Sequence, residues 1–228
     1  MASATLPDLS IETDGLVTLQ GVDWETYCKL RDEESNDHLR MTYLDGTLTI
    51  MSPQYLHEGN SQRIYDLVSA VADYWEIDYM PIGTTTLRLH GRTPKKGTGK
   101  EADQGFYLGE DEAKVRDNKD IDLTIDPPPT LAIEVENLAT ARAALLAYAR
   151  LGVPEVWISK AREHALWFGR LQGKKYVEVA RSVALPRLTP TLMLQALEAN
   201  AGQGVRMWKR WLNEWVQTLP EPPDPEKT

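Results

Sequence analysis

The spacing of hydrophobic positions changes along the chain and predicts a mixture of helices and strands. From about residue 55 to residue 75, apolar residues recur at the three-to-four-residue spacing of an amphipathic helix. Two β-type segments, 39–44 and 47–51, flank Asp45-Gly46, a dipeptide typical of a two-residue hairpin turn. The same criteria predict further helices over residues 23–34, 140–151, 191–198 and 205–219.

The remaining β-type segments surround two regions with unusual composition. TTTLRLH and EADQGFYLG are predicted strands on either side of the basic loop HGRTPKKGTGK, and residues 110–125 are predicted to be irregular. Three prolines then lead into TLAIEVE, an apolar run typical of a central strand, and strands follow over 155–159, 165–171 and 175–180. This order predicts an α/β fold with a mixed central sheet flanked by helices, an N-terminal β-hairpin and C-terminal helices.

Composition sets the scale and the expected location. The chain has 228 residues, of which 42% are hydrophobic and 26% charged, as is usual for globular proteins. We expect one domain over residues 23–219, an N-terminal extension over 1–22 and a disordered, proline-rich tail over 220–228. No apolar run approaches the ~20 residues of a membrane helix, no secretory signal is visible, and Cys28 is the single cysteine. These features predict a cytoplasmic protein without a membrane partner.

The charge distribution leaves room for local contact with nucleic acid only. The net charge of −9 argues against a protein that coats nucleic acid without specificity. However, the loop from His90 to Lys100 concentrates positive charge and includes Arg92, Lys95 and Lys96. These three side chains are candidate phosphate contacts. An ordinary solvated loop is an equally good interpretation of the same residues.

Three acidic residues are the first candidates for chemistry. Glu134 and Glu136 lie two positions apart in a predicted strand, so their side chains project from the same face. Asp103 lies in the strand that follows the basic loop. Neighbouring carboxylates on a buried strand repel one another, and a divalent cation such as Mg²⁺ removes that cost. The alternative is an edge strand whose acidic side chains simply face water.

Several motifs, in their order and spacing, resemble those of the large bacterial Uma-two restriction endonuclease family, a branch of the PD-(D/E)XK phosphodiesterase superfamily. They are YLDGTLTIMSP with His57 shortly after it, GKEADQGFYLG, IDLTIDPPPTLAIEVE and AYARLGVPEVWI. The resemblance extends from about Tyr43 to Trp157, and more loosely to Leu197. It implies a restriction-endonuclease-like mixed sheet and Mg²⁺- or Mn²⁺-dependent cleavage of DNA at a carboxylate cluster.

The resemblance also implies roles for individual residues. Asp103 and Glu134 match the family's two metal-binding acids, and Glu136 stands where some relatives carry a third. The chain departs from the pattern twice, because Ala102 replaces the usual proline and Ala144 stands where many relatives have a basic residue. Three residues are conceivable substitutes for that missing base. They are Lys100, His57 and Arg142, of which Arg142 is expected to point away from the site.

Two functions remain open at this stage. One is an Mg²⁺-dependent endonuclease that acts on DNA, with a homodimer expected because nucleases of this superfamily commonly pair to cut both strands. The other is a catalytically inactive relative that binds nucleic acid or protein. The residue at position 144 is the feature that separates them. The tryptophans of the last predicted helix are expected to pack in the core or at a subunit interface rather than to stack on bases.

Overall fold

The computed structural model describes residues 9–12, 16–52, 55–83, 85–118, 121–135, 138–160, 163–199 and 204–221. Side chains are described throughout these ranges except at 9–12, 55–58 and 138–140, where the description is limited to the backbone. Within this part of the chain there are twelve strands and six α-helices.

The strands form two six-stranded sheets, which we call sheet A and sheet B. In spatial order, sheet A consists of β1 (Leu9–Glu12), β2 (Leu16–Gln20), β4 (Thr47–Met51), β3 (Arg40–Leu44), β7 (Gly97–Glu101) and β6 (Thr86–His90). Sheet B consists of β12 (Lys175–Glu178), β11 (Ala165–Gln172), β10 (Glu155–Lys160), β9 (Leu131–Val135), β8 (Gln104–Leu108) and β5 (Tyr79–Pro81).

The two sheets differ in strand direction. All neighbouring strands of sheet A are antiparallel. Sheet B is mixed, because β9 and β10 run parallel while its other neighbours run antiparallel. The parallel pair requires a crossover connection, which the helix between β9 and β10 provides. That helix also packs against β3, β6 and β7 of sheet A, so it lies between the two sheets.

The helices cover the sheets from several sides, and short 3₁₀ helices occur at Glu34–Asn36 and Val216–Thr218. Asp23 caps the first helix by accepting a hydrogen bond from the backbone N–H of Thr26 at 2.7 Å. Thr189 caps the fifth helix in the same way through Leu192. The α-helices are α1 (Trp24–Asp32), α2 (Tyr55–Tyr74), α3 (Glu110–Val115), α4 (Leu138–Leu151), α5 (Pro190–Glu198) and α6 (Val205–Trp215).

Three hydrophobic clusters hold these layers together. The largest packs α2, α5 and α6 against sheet B and includes the buried Trp157 and Trp208. The second joins α4 to both sheets through residues such as Leu87, Ala144 and Tyr148. The third packs α1 against sheet A. The tryptophans of α6 serve packing, because Trp208 is buried and Trp211 stacks on Trp215 with ring centroids 5.9 Å apart.

The predicted fold class is confirmed: the chain is mixed α/β, with N-terminal strands and C-terminal helices. The structure differs from the prediction in several segments. Residues 9–12 and 16–20, within the expected N-terminal extension, form β1 and β2 of sheet A, and residues 110–115 form α3 rather than irregular structure. The second half of the predicted basic loop is the buried strand β7, so the loop is shorter. The predicted disordered tail lies, beyond Glu221, outside the described residues.

Candidate active site

Strands β8 and β9 of sheet B bring two of the predicted acidic residues together. Gln104 pairs with Ile133 in an antiparallel register, and one further step of that register places Asp103 opposite Glu134. Asp103 Oδ2 accepts a hydrogen bond from the backbone N–H of Val135 at 2.7 Å. Both side chains are almost completely buried. Asp103 therefore lies beside β9, next to the residue pair Glu134–Val135.

Two donors from outside sheet B hold the carboxylate of Glu134. The ammonium of Lys100, on β7 of sheet A, lies 2.8 Å from Oε2. The hydroxyl of Tyr148, on α4, donates a hydrogen bond to Oε1. Lys100, Glu134 and Tyr148 are all buried. A lysine, an acid and a tyrosine from three different elements thus meet where the two sheets and α4 converge.

The position of Lys100 bears directly on the missing basic residue. Ala144 and Tyr148 lie one turn apart on the same face of α4, and both are buried. The Lys100 ammonium lies 5.6 Å from the centroid of the Tyr148 ring. It therefore occupies the neighbourhood that a basic side chain at position 144 would reach. Arg142 is exposed, which agrees with the expectation that it points away from this site.

The first turns of α2 support the strand that carries Asp103. The hydroxyl of the buried Ser61 donates to the backbone carbonyl of Asp103 at 3.0 Å. The side-chain amide of Gln104 in turn donates to Ser61 Oγ at 3.1 Å. These bonds fix the point at which the chain passes from β7 into β8. Sequence reasoning had not assigned a role to either residue.

A second buried acid lies next to the site on the opposite face of β7. The guanidinium of Arg31 approaches Glu101 Oε1 to 3.2 Å, and that of Arg40 approaches it to 4.0 Å. Burial raises the pKa of Glu101, and this effect outweighs the two arginines, which act in the opposite direction. Glu101 faces α1 whereas Lys100 faces α4, since successive side chains of a strand alternate.

The basic hairpin between β6 and β7 lies at the other end of β7. Asp45, in the β3–β4 turn, accepts hydrogen bonds from Lys96 at 3.1 Å and ion-pairs with Arg150 at 2.5 Å. Burial alone would raise the pKa of Asp45, but these cations and the backbone N–H of Gly97 together lower it. Lys96 and Lys100 are four strand residues apart, or about 13 Å. The hairpin is therefore farther from the acids than the sequence suggested.

Comparisons with known proteins relate this chain to one protein family. Residues 24–202 match Uma2, a family described as "Putative restriction endonuclease". The chain belongs to the Uma2 family. A comparison with the curated proteins found no match. Among solved structures, the chain is similar to a crystal structure described as a putative nuclease of DUF820 from Anabaena variabilis, with a TM-score of 0.47 and 14% identity over 86% of this chain and 99% of that one.

Two predicted site residues of this Uma2 chain lie outside the description. Glu136 is outside the described residues, and His57 is described only as part of the backbone of α2. Among the described side chains, no group of three or more histidine, cysteine, aspartate and glutamate residues is arranged to hold a metal ion. The predicted three-carboxylate cluster is thus represented by Asp103 and Glu134, and its third member stays a prediction.

The donor chemistry of the described residues fits a hard divalent cation. Carboxylate oxygens are the protein ligands that Mg²⁺ and Mn²⁺ prefer. Asp103 and Glu134 offer such oxygens from neighbouring segments of sheet B. In the described part of the chain, no helix has the length and apolar character needed to cross a bilayer.

Proposed function

We propose that this Uma2 family member is an Mg²⁺- or Mn²⁺-dependent endonuclease that hydrolyses phosphodiester bonds of DNA. The observation that carries the proposal is the meeting of Lys100 with Glu134 at 2.8 Å, beside Asp103 on the paired strand. Two adjacent carboxylates and one buried ammonium are the charges that phosphodiester hydrolysis at a metal requires. In this proposal Asp103, Glu134 and Glu136 are the metal ligands.

A divalent ion at these carboxylates would offset the negative charge that builds up on a phosphodiester during attack by water. The chain's own residues prepare the site for that ion. The backbone N–H of Val135 orients Asp103 through Oδ2, and Tyr148 orients Glu134 through Oε1. Lys100 supplies positive charge close to the reacting phosphate and takes the role that Ala144 cannot fill. His57 remains a candidate proton relay.

The substrate proposal rests on the hairpin and on the family. We propose that Arg92, Lys95 and Lys96 contact the DNA backbone, with Lys96 exchanging its bond to Asp45 for a phosphate. We add Arg150 to these proposed phosphate contacts, because its guanidinium forms an ion pair with the same residue, Asp45. We further propose that residues 23–219, with β1 and β2 added at the edge of sheet A, form one nuclease domain that works as a homodimer in the cytoplasm. The exposed apolar side chains of Val205 and Met207 on α6 suit such an interface.

The alternative function, a catalytically inactive binding module, has one observation in its favour. Both oxygens of Glu134 already accept bonds from protein donors, Lys100 and Tyr148. A buried lysine–glutamate pair of this kind can serve as a structural link only. The two functions differ in whether the acids bind a metal and whether the chain cuts DNA.

Plasmid cleavage in the presence of Mg²⁺ or Mn²⁺ tests the proposal. The wild-type chain is expected to convert supercoiled plasmid to nicked or linear forms, and Asp103→Asn and Glu134→Gln are expected to lose that activity. Asp66→Asn is the matched control, because Asp66 is also buried and paired with a lysine but belongs to α2. Equal cleavage by all four proteins, or none by the wild type, would favour the binding module.

A further inference from the structure

The candidate site contains a cation of its own. Lys100 reaches from sheet A to Oε2 of Glu134, and its side chain is only 4% exposed. The Glu134 carboxylate is completely buried, so it needs a positive partner to stay ionised in this environment. The Lys100 ammonium meets that need in the structure.

The same carboxylate is a proposed metal ligand, and the two cations compete for it. An ammonium has donors but no lone pair, so it cannot become a ligand of the ion. A divalent ion and an ammonium on neighbouring oxygens of one buried carboxylate would repel each other strongly. This repulsion favours a longer or broken bond between Lys100 and Oε2 when a metal binds there.

Tyr148 contacts both groups that take part in this exchange of cations, the Glu134 carboxylate and the Lys100 ammonium. Its hydroxyl donates to Oε1, whereas the Lys100 ammonium donates to Oε2, so Tyr148 can hold the carboxylate when the ammonium moves. Its ring lies 5.6 Å from the Lys100 ammonium, within the range of a cation–π interaction. The buried Ala144, one turn earlier on α4, contributes no charge that would compete with the ammonium beside that ring.

We propose that Lys100 is a resident cation that holds the place of the metal at Glu134 and is displaced toward Tyr148 when the metal binds. This inference rests on the proposed metal-dependent function and adds a control on metal loading to it. Displacement moves the ammonium off the carboxylate and makes it available to a phosphate. Metal loading and positioning of the lysine are then one event.

The test is Mn²⁺ binding to the purified full chain, measured by isothermal titration calorimetry. Lys100→Met and Lys100→Gln remove the competing charge, and the glutamine keeps a hydrogen-bond donor. Both variants are expected to bind Mn²⁺ roughly tenfold or more tightly than wild type, while losing plasmid cleavage. Lys209→Met is the control, because Lys209 pairs with the buried Asp66 at the same 2.8 Å but away from this site. It should bind Mn²⁺ as wild type does.

The outcomes separate the inference from the function on which it rests. Wild-type binding that is abolished by Asp103→Asn but unchanged or weakened by both Lys100 variants overturns the inference and leaves the nuclease proposal intact. Absence of Mn²⁺ binding in every protein overturns both. A Lys100 variant that folds only when Mn²⁺ is added supports the inference, because the ion then replaces the lost charge. One that stays unfolded at saturating Mn²⁺ counts against it.

Discussion

At the scale of single residues, the hydroxyl of Tyr148 is the group most directly responsible for the position of Glu134. It donates to a buried, charged acceptor, and hydrogen bonds to charged groups contribute more than those between neutral groups. Tyr148→Phe should therefore lower the free energy of unfolding by about 1.5–3 kcal/mol, measured by urea denaturation without metal. The residue matters because its loss removes one of the two protein donors described on this carboxylate.

Tyr176→Phe is the matched control for that measurement. Its hydroxyl donates to the backbone carbonyl of Val153 at 2.6 Å, so the acceptor is neutral. The expected loss is smaller, about 0.5–1.5 kcal/mol. Equal losses in the two variants would mean that the charge on Glu134 adds nothing to the Tyr148 bond.

The raised pKa of Glu101 predicts that the stability of the chain depends on pH. Because burial raises its pKa above the ordinary value of 4.5, the folded chain holds this proton more tightly than the unfolded chain does. The stabilising contribution is complete below pH 4.5 and is lost as the pH rises through the raised pKa. The unfolding free energy of wild type should therefore fall, relative to Glu101→Gln, as the pH rises from about 4 to about 8.

Glu112 supplies a control of opposite sign. A hydrogen bond from Arg116 lowers the pKa of Glu112, so its contribution is present above the ordinary pKa and is lost as the pH falls. Wild type should gain stability relative to Glu112→Gln as the pH rises from about 3 to about 5. Urea denaturation across the pH series measures both slopes. Slopes of the same sign for Glu101 and Glu112 would contradict this account.

The sequence carries a clearer signal for the two candidate acids than for the residues that contact them. Asp103 and Glu134 could be predicted because each lies in a local pattern, a carboxylate within an apolar strand. The contact of Tyr148 with Glu134 could not be predicted, because a tyrosine near a helix end has no distinguishing local pattern. The contact between Lys100 and Glu134 spans 34 residues, and only the pairing of strands from two sheets creates it.

At the scale of elements, the packing of α1 on sheet A depends on the glycines of β7. A Cβ atom on Gly99 would lie 2.1 Å from the Tyr27 hydroxyl oxygen, and one on Gly97 would lie 2.5 Å from the Trp24 ring. Both rings are held by neighbouring aromatic residues. Gly99→Ala should therefore destabilise the chain by about 1–3 kcal/mol, because the helix has to move away from the sheet.

Gly59→Ala is the control for this prediction, since it makes the same chemical change in a helix. Gly59 lies in α2, and a Cβ there meets nothing within 4 Å. Alanine is the better helix former, so the variant should gain about 0.5–1 kcal/mol. Thermal and urea denaturation of the two variants should thus give changes of opposite sign. A neutral Gly99→Ala would show that α1 is not packed against β7 as described.

The same glycines explain which elements the sequence did not predict. The hairpin at Asp45-Gly46 was predicted because its turn chemistry is local, and both of its strands form as expected. Strand β7 reads GTGKE, which has no apolar alternation and little β-branched content. Its glycines are needed because aromatic rings of α1, which is distant in sequence, pack directly against the strand. No local rule therefore identifies it as a buried strand.

The basic hairpin gives the second prediction at this scale. Arg92 and Lys95 are exposed, and unlike Lys96 they have no ion pair with Asp45. If both contact phosphates, Arg92→Gln with Lys95→Gln should reduce the slope of log affinity against log salt concentration by about 1.8. Fluorescence anisotropy with a labelled duplex in Ca²⁺ measures this slope. Lys174→Gln with Lys175→Gln, in the exposed β11–β12 hairpin, should leave it unchanged.

At the scale of the whole molecule, the candidate site is a junction between the two sheets. Glu134 lies on β9 of sheet B, and Asp103 directly precedes β8 of the same sheet. Lys100 lies on β7 of sheet A, and Tyr148 lies on α4, the helix between the two sheets. Helical and strand periodicity predicts elements but not which sheet a strand joins. The sequence therefore predicted a mixed α/β fold with a single central sheet. Lys100 could be proposed as a site residue, but its contact with Glu134 across two sheets could not be predicted.

This junction predicts a strong energetic coupling between Lys100 and Glu134. Lys100→Met removes the cation that contacts the buried Glu134 carboxylate, and Glu134→Leu removes the anion that contacts the buried Lys100 ammonium, so each should cost about 3–5 kcal/mol. The double variant removes both charges of this pair and should cost far less than the sum. Urea denaturation in the presence of a metal chelator measures all four proteins.

The half-exposed pair between Lys209 and Asp66 gives the reference cycle. It has the same 2.8 Å separation, but the lysine side chain is 50% exposed and the pair joins α6 to α2 within one layer. Because water screens it, its coupling should stay below about 1 kcal/mol. A coupling for Lys100 and Glu134 that is no larger would mean that the two charges do not depend on each other. The site would then lack the tight link between sheets on which its chemistry is proposed to rest.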